Sequence, residues 1–258
     1  MRIVVLVKEV PDTYGDRVLS LETGLADRAA SNAVLDEICE RALEVAFAHA
    51  DQHPDTEITL VSMGPESAAS TILKGLARGA TSAAHVADER LAGADLGLTA
   101  EVLAAAIRRV GFDLVIAGNQ STDGSGGVLP AMVAELLGAP HATVLSTVEL
   151  TETTVRGTRV ADDGVATVSA ELPAVISITE ALPDARFPNF KGIMAAKKKP
   201  FETLTLDDLG IEAERADAAR SIMVAISERP PRGAGVKITD EGDAGEQLAE
   251  FLVQNRLA

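Results

Sequence analysis

The sequence predicts an α/β protein: a Rossmann-like, doubly wound, mostly parallel sheet with helices on both faces, an antiparallel strand extension and an extended C-terminal arm. Three observations carry this. Short apolar runs alternate with segments of helical spacing through the first half, the order that builds a parallel sheet covered by helices. Strand-like segments separated only by short turns fill residues 143 to 179. Hydrophobic residues make up 47% of the chain but aromatics only 3%, so the core must be Ala, Val, Leu and Ile, which suits strands buried on both faces.

The elements follow in order. Ile3 to Val7 is a β-branched run. Val34 to Ala50 carries apolar residues at helical spacing through Leu35, Ile38, Cys39, Ala42, Leu43, Ala46 and Phe47, with Asn32 placed as its N-cap. Ile58 to Ser62, Ala83 to Val86 and Asp113 to Ala117 read as strands; Glu66 to Leu76, Leu98 to Val110 and Leu129 to Leu137 read as helices. Then come the strand-like Thr143 to Leu150, Thr153 to Arg159, Val165 to Leu172 and Ala174 to Thr179, with ADDG at Ala161 to Gly164 as a turn signal. These are expected to extend the sheet in antiparallel fashion. ERPPRGAG holds too much Pro and Gly for a regular element and reads as an arm, ending in an amphipathic helix near Gln247 to Leu257. The expected division is residues 1–200 and 201–258.

Charge and composition exclude several classes. The formal net charge of −16 opposes non-specific nucleic-acid binding, which needs a positive surface. The single cysteine, Cys39, allows no internal disulfide and no cysteine metal cluster. His49, His53, His85 and His141 have no metal-ligand spacing. MRIVVLVKEV lacks the long apolar core and cleavage site of a signal peptide, and no window supplies the roughly 18 apolar residues of a membrane span. A soluble, cytoplasmic protein is expected.

The loop GNQSTDGSGGVLP, Gly118 to Pro130, follows a strand and opens a helix. Glycines let backbone N–H groups approach an anion, and a helix N-terminus favours phosphate. It is neither GxGxxG nor a P-loop, and a flexible connection is the other reading. SMGPES at Ser62, VKEVPD at Val7 and ASNAVLDE at Ala30 are further polar turns at strand ends or helix starts. Their convergence on one crevice points to an adenine nucleotide. No catalytic set stands out: Ser121 and Ser125 have no evident histidine base, and nothing pairs Asp12 with Asp123. The residues point to binding rather than transformation.

RFPNFKGIMAAKKKP, Arg186 to Pro200, sets two phenylalanines and three lysines in an acidic chain. Two readings stand: Phe190 packs on its own domain and the lysines open a strand, or the stretch docks a partner.

VKEVPD, NAVLDE, SMGP, AGNQSTDG, LPAVISI, GIMAAKKK, DLGI and PPRGAGVKI occur in this order. As an ordered set they closely resemble the β subunit of electron transfer flavoprotein, in its bacterial FixA-like form, over nearly the whole chain. The resemblance implies a heterodimer with an α subunit that holds most of the redox-active FAD, and one structural AMP in the β subunit. It implies electrons taken from flavin-dependent dehydrogenases, such as the acyl-CoA dehydrogenases of fatty acid β-oxidation. Those electrons pass to a membrane quinone oxidoreductase, electron transfer flavoprotein–quinone oxidoreductase.

The family's nucleotide pocket matches Leu6, then Asn32, Ala33, Val34 and Leu35, then Met63. It continues through Gly118, Asn119, Gln120, Ser121, Thr122, Asp123, Gly124, Ser125, Gly126, Gly127, Val128 and Leu129. Many members follow the aspartate with Asp, Thr, Gly and Gln; here Gly124, Ser125, Gly126, Gly127 and Val128 leave fewer side-chain donors, so the backbone would hold the phosphate. The family's recognition loop matches 184–199, with Arg186, Phe187, Phe190, Ile193, Met194, Lys197, Lys198 and Lys199 as the docking residues. Phe190 stands where a leucine normally plugs a partner pocket, and the lysines would steer an acidic surface. The C-terminal arm would wrap the α subunit. The rivals are a bifurcating member, with a second FAD in the β site and NADH oxidation, and a stand-alone nucleotide-binding stress protein.

Overall fold

The computed structural model describes residues 1–15, 17–215 and 221–257. Its centre is a seven-stranded sheet. In chain order the strands are β1 (Arg2–Leu6), β4 (Glu57–Met63), β5 (Ser82–Val86), β6 (Leu114–Gly118), β7 (His141–Leu145), β11 (Ala174–Ile178) and β12 (Phe201–Leu204). Their spatial order is β12-β5-β4-β1-β6-β11-β7, and every pairing is parallel.

The sheet divides the core by strand alternation. Ile3, Val5 and Val7 pack with α1 (Glu37–Gln52) and α2 (Ala69–Arg78), while Val4 and Leu6 pack with α3 (Leu96–Val110) and α4 (Leu129–Leu137). Successive side chains on a strand point to opposite faces, and both faces here are covered. That is why β1 reads as an unbroken apolar run.

The antiparallel strands form their own layers. β8 (Glu149–Leu150), β9 (Thr154–Ala161) and β10 (Gly164–Glu171) make a three-stranded sheet. From the same stretch, β7 and β11 join the central sheet in parallel, with β11 inserted between β6 and β7. Gly157 permits the junction, because a Cβ there would lie 2.2 Å from Thr147 O.

The helix expected from Val34 starts at Glu37 instead, with Asp36 rather than Asn32 at its N-cap. Ala33–Leu35 is a short strand, β3, paired antiparallel with β2 (Glu9–Pro11). Apolar spacing runs unbroken through Leu35 and Ile38, so the sequence pattern alone does not reveal this non-local pairing. Residues 186–200, expected as a loop, contain α5 (Phe190–Ala196), followed by α6 (Leu206–Leu209) after β12. Asn189 caps α5 by accepting from Gly192 N–H at 2.7 Å. Gly192 also lets α5 approach α2, since a Cβ there would sit 2.2 Å from Ala77 O.

The chain separates into two compact units, Met1–Val224 and Ala225–Ala258. The first extends past residue 200 because β12 pairs with β5 and Leu204 and Leu206 are buried. The second holds α7 (Ala244–Gln254), none of whose residues is buried. Among the described residues no helix is long and apolar enough to cross a membrane.

Ile116 is fully buried in β6, flanked by β1 and β11. Ile116→Ala is expected to cost about 2–5 kcal/mol, read as a lower urea midpoint at unchanged slope.

Candidate functional site

Strand order reverses between β1 and β6: α1 and α2 carry the chain to one side of β1, and α3 carries it back to the other. Open α/β sheets hold ligands outside the carboxyl ends of the strands at such a reversal. A cavity of about 1250 Å³ lies there, lined by Leu6 at the end of β1, Met63 at the end of β4, Ala87 after β5 and Gly118 at the end of β6.

Its walls differ in character. Leu6, Val61, Leu91, Leu103, Ala117 and Leu129 make an apolar sleeve. Gly118, Asn119, Gln120, Ser121, Gly124, Gly126, Gly127 and Leu129 bring in the glycine loop and the start of α4. Gly127 has φ +68°, a conformation that favours glycine. Gly118 is required by packing, since a Cβ there would lie 2.5 Å from Ile38 Cγ2. Among the described residues, the N–H groups of Gly126, Gly127, Val128 and Leu129 find no protein acceptor. They stand at the positive end of the α4 dipole, an arrangement suited to an anion.

The loop is tied down by charges. Lys8 Nζ lies 2.6 Å from Asp123 Oδ1 and donates to Ser121 Oγ at 3.2 Å. An ammonium has three donors, so one remains for a ligand. Arg28 adds a second cation, 3.6 Å from Asp123 Oδ2. Asp36 Oδ2 accepts from Thr122 N–H at 3.0 Å, joining the loop to the start of α1. Burial pushes the Asp36 carboxyl above its ordinary range. Asp36 Oδ1 and Thr122 Oγ1 are buried with no hydrogen-bond partner among the described residues.

The structure thus brings Leu6, Met63 and most of the glycine loop together. Thr122, Asp123, Ser125 and Val128 belong to that loop but do not line the cavity. Asn32, Ala33, Val34 and Leu35 also stand apart. Asn32 lines a separate space of about 440 Å³ with Asp12 and Tyr14, and the other three form β3. Asp123 turns its carboxylate to Lys8 and Arg28. Lys8 and Arg28 are the functional candidates that sequence reasoning passed over. Lys8 could have been noticed as the lone cation directly after a buried strand, within VKEVPD. Nothing local marks Arg28.

An adenine ring in the apolar sleeve and a phosphate at the α4 N-terminus beside Lys8 fit the residues present. Those residues would hold and orient such a ligand; no described group of His, Cys, Asp or Glu is arranged to bind a metal.

The expected docking residues divide into base and face. Arg186 forms a double ion pair, 2.7 Å to Glu44 and 2.9 Å to Asp51, and lies over the Phe47 ring. Lys199 turns inward: its Nζ donates to Leu76 O at 2.8 Å and Ala80 O at 2.6 Å, closing the C-terminal end of α2. Phe187 and Phe190 are 90% and 79% exposed, and Ile193 and Met194 are exposed beside them. Lys197 and Lys198 are also exposed.

Burial alone would raise the Asp123 carboxyl, but Lys8, Ser121 and the Gly124 N–H outweigh it and hold it below the usual carboxylate range. A depressed carboxyl contributes stability above its unfolded-state pKa and loses it as pH falls through the folded value. Lys8→Met is therefore expected to be less stable than the natural chain at pH 7. The gap should close as pH falls below about 4, as urea titrations at both pH values would show.

Comparison with known proteins gives the family. The electron transfer flavoprotein domain family matches residues 23–209. The electron transfer flavoprotein subunit beta of Mycobacterium leprae is 44% identical over 99% of this chain and 98% of its own length. The subunit of that name from Mycobacterium tuberculosis H37Rv is 44% identical over 99% and 98%. The caffeyl-CoA reductase-Etf complex subunit CarD of Acetobacterium woodii is 32% identical over 98% and 97%. With the family match covering the glycine loop and every central strand except β1, and relatives named electron transfer flavoprotein subunit beta matched over nearly their whole length, the chain belongs to the electron transfer flavoprotein β-subunit family.

Proposed function

We propose that this chain is the nucleotide-holding, docking subunit of a heterodimeric electron transfer flavoprotein. It binds one AMP as a structural ligand, and its α subunit carries the FAD that moves electrons. The observation that carries this reading is the cavity at the β1/β6 reversal, where an apolar sleeve ends in unpaired N–H groups and the Lys8 ammonium. A base needs the first and a phosphate the second.

The exposed face of α5 supports docking of a flavin-dependent dehydrogenase such as an acyl-CoA dehydrogenase. Apolar side chains cluster there on a base fixed by Arg186 and Lys199, as a compact hot spot requires. Lys191, Lys197 and Lys198 surround it and would speed encounter with an acidic partner. From there electrons would pass through the α-subunit flavin to a membrane quinone oxidoreductase, with the heterodimer working in the cytoplasm. Residues 225–258 are suited to the α subunit, because α7 exposes Leu248, Phe251 and Val253.

One observation favours a second reading. The cavity, at about 1250 Å³, exceeds the ordinary range of about 300–1,000 Å³ for small-ligand sites. It has room for a dinucleotide, as a bifurcating β subunit with a second FAD would need.

Denaturing the purified heterodimer and separating its nucleotides tests both. One FAD and one AMP are expected; two FAD and no AMP would establish the second reading. Phe190→Ala is expected to leave the heterodimer and its cofactors intact. It should lower the rate of flavin reduction by the cognate dehydrogenase by about tenfold or more, the effect of losing an interface anchor; unchanged stopped-flow kinetics would remove Phe190 from the contact.

A further inference from the structure

Between β2 and β3 the chain leaves the sheet for residues 12–32, and part of this excursion folds back on itself. Leu19 bridges Ala26. Ser20 N–H donates to Leu25 O at 2.9 Å, Asp27 N–H to Val18 O at 2.9 Å, and Gly24 N–H to Ser20 O at 2.8 Å. The resulting hairpin forms part of the cavity wall through Leu25, Ala26 and Arg28.

It is attached on both sides of the opening. On the glycine-loop side, Arg17 donates to Thr122 O, and Arg28 pairs with Asp123 at 3.6 Å while donating to Glu9 O at 3.2 Å. On the opposite side, Leu25 Cδ2 reaches to 3.3 Å from where a Cβ on Gly93 would stand. Between these points the hairpin has little hold, since none of its described residues is buried. An element with so few buried contacts opens locally far more easily than the core.

A second segment lies against the hairpin's tip. Ser221 N–H donates to Asp95 Oδ2 at 2.6 Å, and the other oxygen of that carboxylate caps α3 by accepting from Leu98 N–H at 2.9 Å. Met223 then meets Gly24: its sulfur is 2.0 Å from where a Cβ would be, and Gly24 has φ +71°. Met223 does not itself line the cavity.

The geometry points to the hairpin of residues 17–28 as the movable wall of the nucleotide site, latched by Arg28 on Asp123 and pinned by Met223. Its opening sets how fast the nucleotide leaves. This rests on the nucleotide reading above.

The test uses the AMP-loaded heterodimer in its natural form and as Met223→Ala and Arg28→Met. Each is moved into nucleotide-free buffer, and the AMP still bound is measured against time by chromatography. Flavin content, subunit ratio and circular dichroism are followed in parallel. Both variants are expected to stay folded and to release AMP about tenfold faster, as changes in retention act mainly on the off-rate. Met223→Ala decides the matter, because a side chain outside the cavity can alter release only through the wall it holds. AMP present but released by Met223→Ala at the natural rate would overturn the hairpin's role and leave the nucleotide reading standing. A natural heterodimer holding no nucleotide beyond the α subunit's FAD would overturn both.

Discussion

The parallel pairing of β1 between β4 and β6 is the constraint on which the rest depends. β1 gives alternate residues to two cores, Ile3, Val5 and Val7 to one and Val4 and Leu6 to the other. Because its neighbours come from opposite directions of winding, the loops after β1 and β6 diverge instead of packing on each other. The cavity is the space left by that divergence. Its floor comes from strand ends already held in register by Leu6↔Val61 and Val5↔Ile116. That floor inherits the rigidity of the most buried part of the molecule, which the wall formed by residues 17–28 does not share.

A strongly acidic chain with a site suited to an anion must manage charge locally. The carboxylates nearest the glycine loop are turned away from the ligand space. Asp123 faces Lys8 and Arg28, and Asp36 accepts the Thr122 N–H. Asp123 thus fixes Lys8, and its own negative charge is offset by two cations. The short run Gly124, Ser125, Gly126, Gly127 and Val128 would leave contact with an anion to the backbone and the α4 N-terminus, where attraction depends on dipoles and not on net charge.

The α5 face follows a different logic. Exposed phenylalanines invite collapse onto the protein's own surface, yet Phe187 and Phe190 stay outside. Both ends of the segment are committed elsewhere: Arg186 to Glu44 and Asp51, Lys199 to the carbonyls ending α2, with Asn189 and Gly192 fixing the turn between. Holding an apolar face in place before a partner arrives lowers the ordering cost of association. The three lysines that look alike in AAKKKP are therefore unlike in place, two in solvent and one closing a helix.

That difference marks what sequence can and cannot show. Strands β1, β4, β5 and β6 and the helices between them are legible, because burial on both faces writes continuous apolar runs and burial on one face writes helical spacing. The glycine loop is legible for the same local reason. What escapes is decided by partners far along the chain. Ala33–Leu35 carries the spacing of the helix beyond it, and only Glu9–Pro11 makes it a strand. β7 and β11 look like members of a meander until their pairing with the central sheet is known. Arg28 sits in a stretch with no apolar period, and its meaning comes from Asp123, far away in sequence. Each miss is a pairwise contact between residues of unremarkable local pattern. Contacts of the same non-local kind, Arg28 with Asp123 at the cavity wall and Arg186 with Glu44 beneath α5, shape the candidate sites, so their detail lies where periodicity is silent.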